Sequence, residues 1–169
     1  MSEVLARWND LPASQAAERI LPCCGSRAWA AEMANQRPIS EETGLHAACD
    51  KVWWGLDESD WLEAFRAHPR IGESAAHSAS ARSAEWSGEE QQNAIAAQDV
   101  VKTALAEANR AYEDRFHRIF IVCATGKSAQ QILEILRRRL ANDDAAELRE
   151  SAEQQRQIIH IRLTKWLRS

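Results

Sequence analysis

Val101-Lys102-Thr103-Ala104-Leu105-Ala106-Glu107-Ala108-Asn109-Arg110-Ala111-Tyr112 repeats apolar residues at 101, 105, 108 and 112. Steps of three and four place one stripe along an α-helix, and predict a helix running to about Arg115. Upstream, Ser87-Gly88-Glu89-Glu90 matches a capping box, in which the serine and the glutamate each satisfy a free backbone donor of the other. Downstream, Arg118-Ile119-Phe120-Ile121-Val122-Cys123-Ala124 breaks the helical rhythm with β-branched and aromatic residues. It reads as a short buried extended segment, 119–124, entering a helix capped by Ser128. That helix closes on Arg137-Arg138-Arg139, cations that favour the helix dipole and read as a solvated end. A last helix starts at Asp144, with Glu147 three residues on, and carries Leu148, Ile158, Ile161 and Leu163.

The four prolines, at 12, 22, 38 and 69, all precede residue 70, so the remaining chain is free to form long helices. Before it, Ser14 is expected to cap a short helix that reaches about Leu21 and stops at Pro22. Ser26 opens a second, ended before Pro38. Glu41 and Glu42 begin a third, which stops at Gly55, and Asp57-Glu58-Ser59-Asp60 leads into Trp61, Leu62 and Phe65 at helical spacing. The expected fold is all-α: one domain over residues 1–169, a bundle of about seven to nine helices with one buried extended segment.

At 169 residues the chain is long enough to bury roughly 70% of its unfolded surface. Its net charge of −4 argues against nucleic-acid binding, which depends on clustered cations. No apolar run approaches the roughly 20 residues needed to span a bilayer, and no membrane partner is expected. Met1-Ser2-Glu3 lacks the basic and apolar regions of a secretory signal. Four cysteines, at 23, 24, 49 and 123, form no C-x-x-C pair and suggest neither a disulfide framework nor a zinc site. A reducing cytoplasm fits best. The histidines at 46, 68, 77, 117 and 160 show no ligand spacing, and phosphate- or dinucleotide-binding motifs are lacking. Neither metal nor cofactor is expected, so any chemistry must come from side chains and the substrate.

Four elements offer such chemistry. In His68-Pro69-Arg70-Ile71-Gly72 the proline forces His68 out of the preceding helix, placing an imidazole on a stiff turn. Ser87, Glu90 and Gln91 bring a carboxylate and an amide to a helix start. The run Phe120, Ile121, Val122, Cys123 and Ala124 offers backbone groups that helical pairing leaves free, and Arg162 supplies a cation. Together they suit a small, polar, anionic heterocycle. The same residues would serve a cofactor-free hydrolase of a ureido or cyclic amide ring. As caps, core and surface charge, they also fit a non-catalytic helical interaction module.

The string Ala67-His68-Pro69-Arg70-Ile71-Gly72-Glu73 resembles the HPRIG-type motif of the OHCU decarboxylases, enzymes of 2-oxo-4-hydroxy-4-carboxy-5-ureidoimidazoline. The resemblance extends through Asn35-Gln36-Arg37-Pro38, Ser87-x-x-Glu90-Gln91, Asn109-x-x-Tyr112-x-x-x-Phe116, residues 120–128 and Ile161-Arg162-Leu163, in order along nearly the whole chain. Phe116-His117-Arg118 departs from the family's usual Phe-Gly-Phe, and Gln92-Asn93 replaces small residues. The resemblance implies the last step from urate to (S)-allantoin, without a cofactor and in a homodimer. His68 would be the general acid/base, with Glu90 paired to it or to the ring hydroxyl. Ser87 and Gln91 would place the ureido group, Pro69 would line the site by its backbone, and residues 120–124 would read the ring edge. Arg162 would hold an anionic or carbonyl oxygen. Asn109, Tyr112 and Phe116 are expected to be scaffold, Trp53-Trp54 a dimer contact, and residues 73–86 a lid.

Overall fold

The computed structural model describes residues 2–71 and 88–169, with side chains in the first described helix after that gap taken from residue 97 onward. The described residues form eight α-helices in order: α1 Glu3–Asp10, α2 Ala13–Ile20, α3 Arg27–Asn35, α4 Glu42–Trp54, α5 Glu58–Arg66, α6 Gly88–Phe116, α7 Ala129–Arg139 and α8 Asp144–Trp166. A single 3₁₀ turn, Leu21–Cys23, follows α2, and no strand occurs among the described residues. The fold is all-α, as the periodicity predicts. Residues 119–124 take no regular structure, and Phe120 through Cys123 are buried.

The stop and start signals act by ordinary backbone chemistry. Ser26 caps α3 by accepting from the Trp29 N–H, and Ser128 and Gln131 form a full capping box at α7. Ser14 does not cap α2; Pro12 precedes that helix and Ser14 lies inside its first turn. Arg37 stands in for several missing donors at helix ends. It donates to the carbonyls of Trp8, Asn9 and Leu11 beyond and within α1, and to Ala34 in α3.

The helices form two compact units, residues 1–67 with 150–169, and residues 68–149. In the first, α2 packs on α3 and α3 on α4 and α5. Its core holds Trp8, Trp29, Met33, Leu45, Trp53 and Phe65, each fully buried. Indole N–H groups there find carbonyls: Trp8 on Ala16, Trp53 on Ala152 and Trp61 on Trp53. Trp53 is thus buried in its own unit, while half-buried Trp54 stands edge-on to Trp61 at 5.7 Å, so the pair presents no joint aromatic surface. On α8 the buried isoleucine is Ile159, beside Ala152 and the expected Leu163, whereas Ile158 and Ile161 are half-buried. The second unit closes around Leu105, Ala108, Tyr112, Phe116, Phe120, Val122, Ile132, Leu133 and Leu136.

Gly25 sets how closely the first unit's loop approaches the end of α5. It has φ +93°, and a β-carbon there would lie 2.6 Å from the Ala67 β-carbon, one residue before His68. Gly25→Ala should therefore cost about 1–3 kcal/mol in urea unfolding, from strain and close contact together. A change within about 0.5 kcal/mol would show that the close approach is not required.

Candidate active site

Helix α5 ends at Arg66, and the Ala67 N–H closes its last turn on the Ala64 carbonyl. His68 then leaves the helix, half-buried, as the following proline demands. Within the second unit the turn is fastened to α6 at two points. Arg70 makes a bidentate pair with Glu113, both bonds 2.7 Å, and Asn109 donates to the Ile71 carbonyl at 3.0 Å. The Arg70 side chain is largely exposed, so that pair is worth at most about 1 kcal/mol and serves mainly to orient the turn. Ile71 packs against the cluster that contains Phe120 and Val122. The His68 turn and the run 119–124 therefore share one core.

The run enters from the left-handed end of α6. His117 has φ +53°, and its N–H reaches back to the Glu113 carbonyl at 2.8 Å. This is the position where the resemblance leads one to expect glycine, the residue for which φ > 0 carries no steric penalty. Arg118 lays its guanidinium over Phe116 at 5.3 Å and pairs with Asp144 at 2.8 Å, fastening the run's entrance to the start of α8.

Two carbonyls of the run are claimed by cations. Arg139 Nη1 donates to Ile121 O at 2.6 Å, and Lys127 Nζ donates to Cys123 O at 2.8 Å. A trans peptide points its C=O and the following N–H in opposite directions, so these two bonds aim the Val122 and Ala124 N–H groups away from Arg139 and Lys127. Among the described residues, no backbone N–H of Phe120, Ile121, Val122 or Ala124 pairs with another backbone group.

Arg139 is itself buried, which corrects its reading as part of a solvated helix end. A charge there needs a partner, and Glu147, equally buried, supplies it. Glu147 Oε1 accepts from Arg139 Nε at 2.9 Å, Arg139 Nη2 at 2.5 Å and Tyr112 Oη at 2.6 Å, while Oε2 accepts from Asn142 at 2.9 Å. Sequence reasoning missed this pair because a run of three arginines looks solvated and an acid near a helix start looks like a cap. Asn109 and Tyr112 act as scaffold, as expected.

The other sequence-predicted residues are placed as follows. Pro69 is exposed. Glu90 and Gln91 lie in the first turn of α6, while Ser87, the capping box it begins and the 73–86 segment lie outside the described residues. Arg162 belongs to the first unit, half-buried beside Cys23 and Cys24, and makes no ion pair among the described residues. Burial pushes the Cys23 thiol up to about 11, with Arg162 opposing. A depression lined by Lys127, Gln131, Glu134, Ile135 and Arg138 lies along α7 and includes none of the sequence-predicted residues.

Residues 9–164 match the model of the OHCU decarboxylase family. The chain belongs to the OHCU decarboxylase family. Among its relatives is the uric acid degradation bifunctional protein TTL of Arabidopsis thaliana, 35% identical over 145 residues, 85% of this chain and 44% of that one. Another is the uric acid degradation bifunctional protein of Bacillus sp. (strain TB-90), 24% identical over 168 residues, 97% of this chain and 32% of that one. The chain thus spans less than half the length of these two relatives. A crystal structure of OHCU decarboxylase in the presence of (S)-allantoin superimposes with a TM-score of 0.70 at 30% identity, over 88% of this chain and 96% of that one. A structure of (S)-allantoin synthase shares the fold, with a TM-score of 0.68 at 19% identity, over 96% of this chain and 53% of that one.

One further polar cluster in this family member lies in the first unit. Ligand atoms of Cys49, Asp50 and His160 fall within 4.8 Å of one another. Asp50 Oδ1 already accepts from His160 Nε2 at 2.6 Å and Arg156 Nη1 at 3.1 Å, so a cation would compete with a resident guanidinium. The Cys49 thiol is raised to about 12 by burial and by Asp50. His46 stacks on His160 at 4.5 Å between Glu42 and Asp50, and burial, then His160, holds its pKa below 6.5. A depressed histidine pKa means that the unfolded chain binds the proton more readily. The stability is intact above about pH 6.5 and is lost as pH falls through the folded pKa. His46→Gln should flatten the fall in melting temperature between about pH 7 and about pH 5; an unchanged profile would assign the decline to other groups.

Proposed function

We propose that this protein catalyses the cofactor-independent decarboxylation of 2-oxo-4-hydroxy-4-carboxy-5-ureidoimidazoline (OHCU) to (S)-allantoin, the last step from urate. The reading is carried by one observation: in a chain of the OHCU decarboxylase family, the His68 turn and the run 119–124 share one core. Residues 1–169 would act as one decarboxylase domain, in a cytoplasmic homodimer. No described helix is long and apolar enough to cross a membrane.

The substrate explains how side chains can suffice. Decarboxylation needs a place for the electron pair of the breaking C–C bond, and enzymes commonly use a cofactor as that sink. Here the carbon losing CO₂ adjoins a ring C=N, which accepts the pair and gives an enol-amine. The protein must hold the carboxylate out of the ring plane, stabilise the developing charge and return a proton to one face. His68 would handle the hydroxyl proton or reprotonate the intermediate. Glu90 would hydrogen-bond the ring hydroxyl or pair with His68, and a carboxylate beside an imidazole favours its protonated form.

Binding would fall to groups that lack other duties. Backbone groups of residues 120–124, the Val122 N–H among them, would read the ring edge, since buried backbone donors seek partners. The Ile121 and Cys123 carbonyls are already held by Arg139 and Lys127. Pro69 would line the site, Ser87 and Gln91 would place the ureido group, and Arg162, with its charge unpaired among described residues, would hold an anionic or carbonyl oxygen.

Circular dichroism of freshly generated OHCU tests the reading. Wild-type protein should yield (S)-allantoin with release of CO₂, where spontaneous decay yields a racemate. His68→Ala should keep the helical spectrum and lose at least about 10²-fold in kcat. Decay to racemate at the background rate with wild-type protein, or near-normal turnover in the variant, would contradict it.

A further inference from the structure

We propose that Arg139, fixed by Glu147 and Tyr112, is a positioning residue for this reaction: it sets where residues 120–124 present their backbone to the substrate. The inference rests on the decarboxylase reading. It extends that reading to a residue buried behind the run, with its side chain 2% exposed and its partner Glu147 side chain 0% exposed.

The geometry goes further than core packing requires. Burying two charges carries a desolvation penalty that a well-packed apolar pair would avoid, so their presence calls for a directional task. A guanidinium is planar and presents its donors in a fixed fork. Here Nε and Nη2 are both spent on Glu147 Oε1, which fixes the plane, and Nη1 is thereby aimed at Ile121 O, 2.6 Å away. Glu147 is fixed in turn, through Tyr112 from α6 and through Asn142. The grip on the run is double. The guanidinium also lies over the Phe120 ring at 4.6 Å, and that ring stands edge-on to Tyr112 at 5.2 Å. One residue is held by its carbonyl and its neighbour by its ring, so the run can neither rotate nor slide. Holding Ile121 O fixes the Ile121–Val122 peptide plane and so aims the Val122 N–H away from Arg139.

Arg139→Lys keeps the charge opposite Glu147 but has no planar fork with which to hold Glu147 and Ile121 O in one geometry. Tyr112→Phe keeps the ring and removes one donor to Glu147. Both are to be compared with wild-type protein at a temperature well below their own unfolding midpoints. The measurements are KM and kcat on OHCU, the enantiomeric excess of the product, and the rise in melting temperature given by (S)-allantoin. Arg139→Lys is expected to raise KM about tenfold with kcat changed less than about threefold, and to lose the allantoin-induced rise. Tyr112→Phe is expected to raise KM about threefold. Lower melting temperatures with unchanged KM, enantiomeric excess and allantoin response would overturn the inference, leaving the pair a stabilising element only. If Arg139→Lys does not fold, Tyr112→Phe decides alone by the same criterion. An inactive wild-type protein would overturn the decarboxylase reading and this inference with it, whereas an active one with unchanged variants overturns this inference alone.

Discussion

The buried pair of Arg139 and Glu147 constrains the second unit more than any other contact. An ion pair at that depth is tolerated only if nearly every donor and acceptor is matched, and breaking one typically costs about 3–5 kcal/mol. The matching draws in Tyr112 from the long helix α6, Asn142 from the connection after α7, and the Ile121 carbonyl from a segment with no secondary structure of its own. Without strand partners, the buried residues 120–123, between half-buried Ile119 and exposed Ala124, would be a stretch of orphaned backbone. The guanidinium and Lys127 take up the carbonyls of Ile121 and Cys123.

The helices were legible because their signals are local. The stripe at Val101, Leu105, Ala108 and Tyr112, the Ser26 and Ser128 caps, and the exclusion of His68 from α5 by Pro69 each depend on neighbours within a turn. The buried run was legible for the same reason: its β-branched and aromatic residues break the helical period. What failed was everything set by partners distant in sequence. Three consecutive arginines read as solvated, yet the third turns inward because Glu147 meets it from the next helix. Trp53-Trp54 read as a dimer contact, and nothing local showed that the Trp53 indole N–H finds the Ala152 carbonyl 99 residues away. The core-facing isoleucine of α8 was displaced by one residue, a small angular error on a helix whose two ends serve different units.

The candidate site shows the same division. Its residue types were readable from the chemistry they offer and from the family pattern, and His68 and the run emerge in the second unit on one shared core. The devices that aim them were not readable. Arg70 and Asn109 on the turn, Arg139 and Lys127 on the run, and left-handed His117 at its entrance are ordinary surface or helix residues until their partners are known. Arg139 and Lys127 act on the run through its carbonyls, so the direction of its backbone is set by side chains from outside it.

Backbone amide chemical shifts, followed by NMR as (S)-allantoin is titrated in, test that claim most directly. The account predicts large, saturable shifts within 120–124, greatest at Val122, whose N–H is turned away from Arg139. Equal shifts along the whole run, or shifts confined to residues outside 120–124, would show that the run is core packing and that the substrate is read elsewhere.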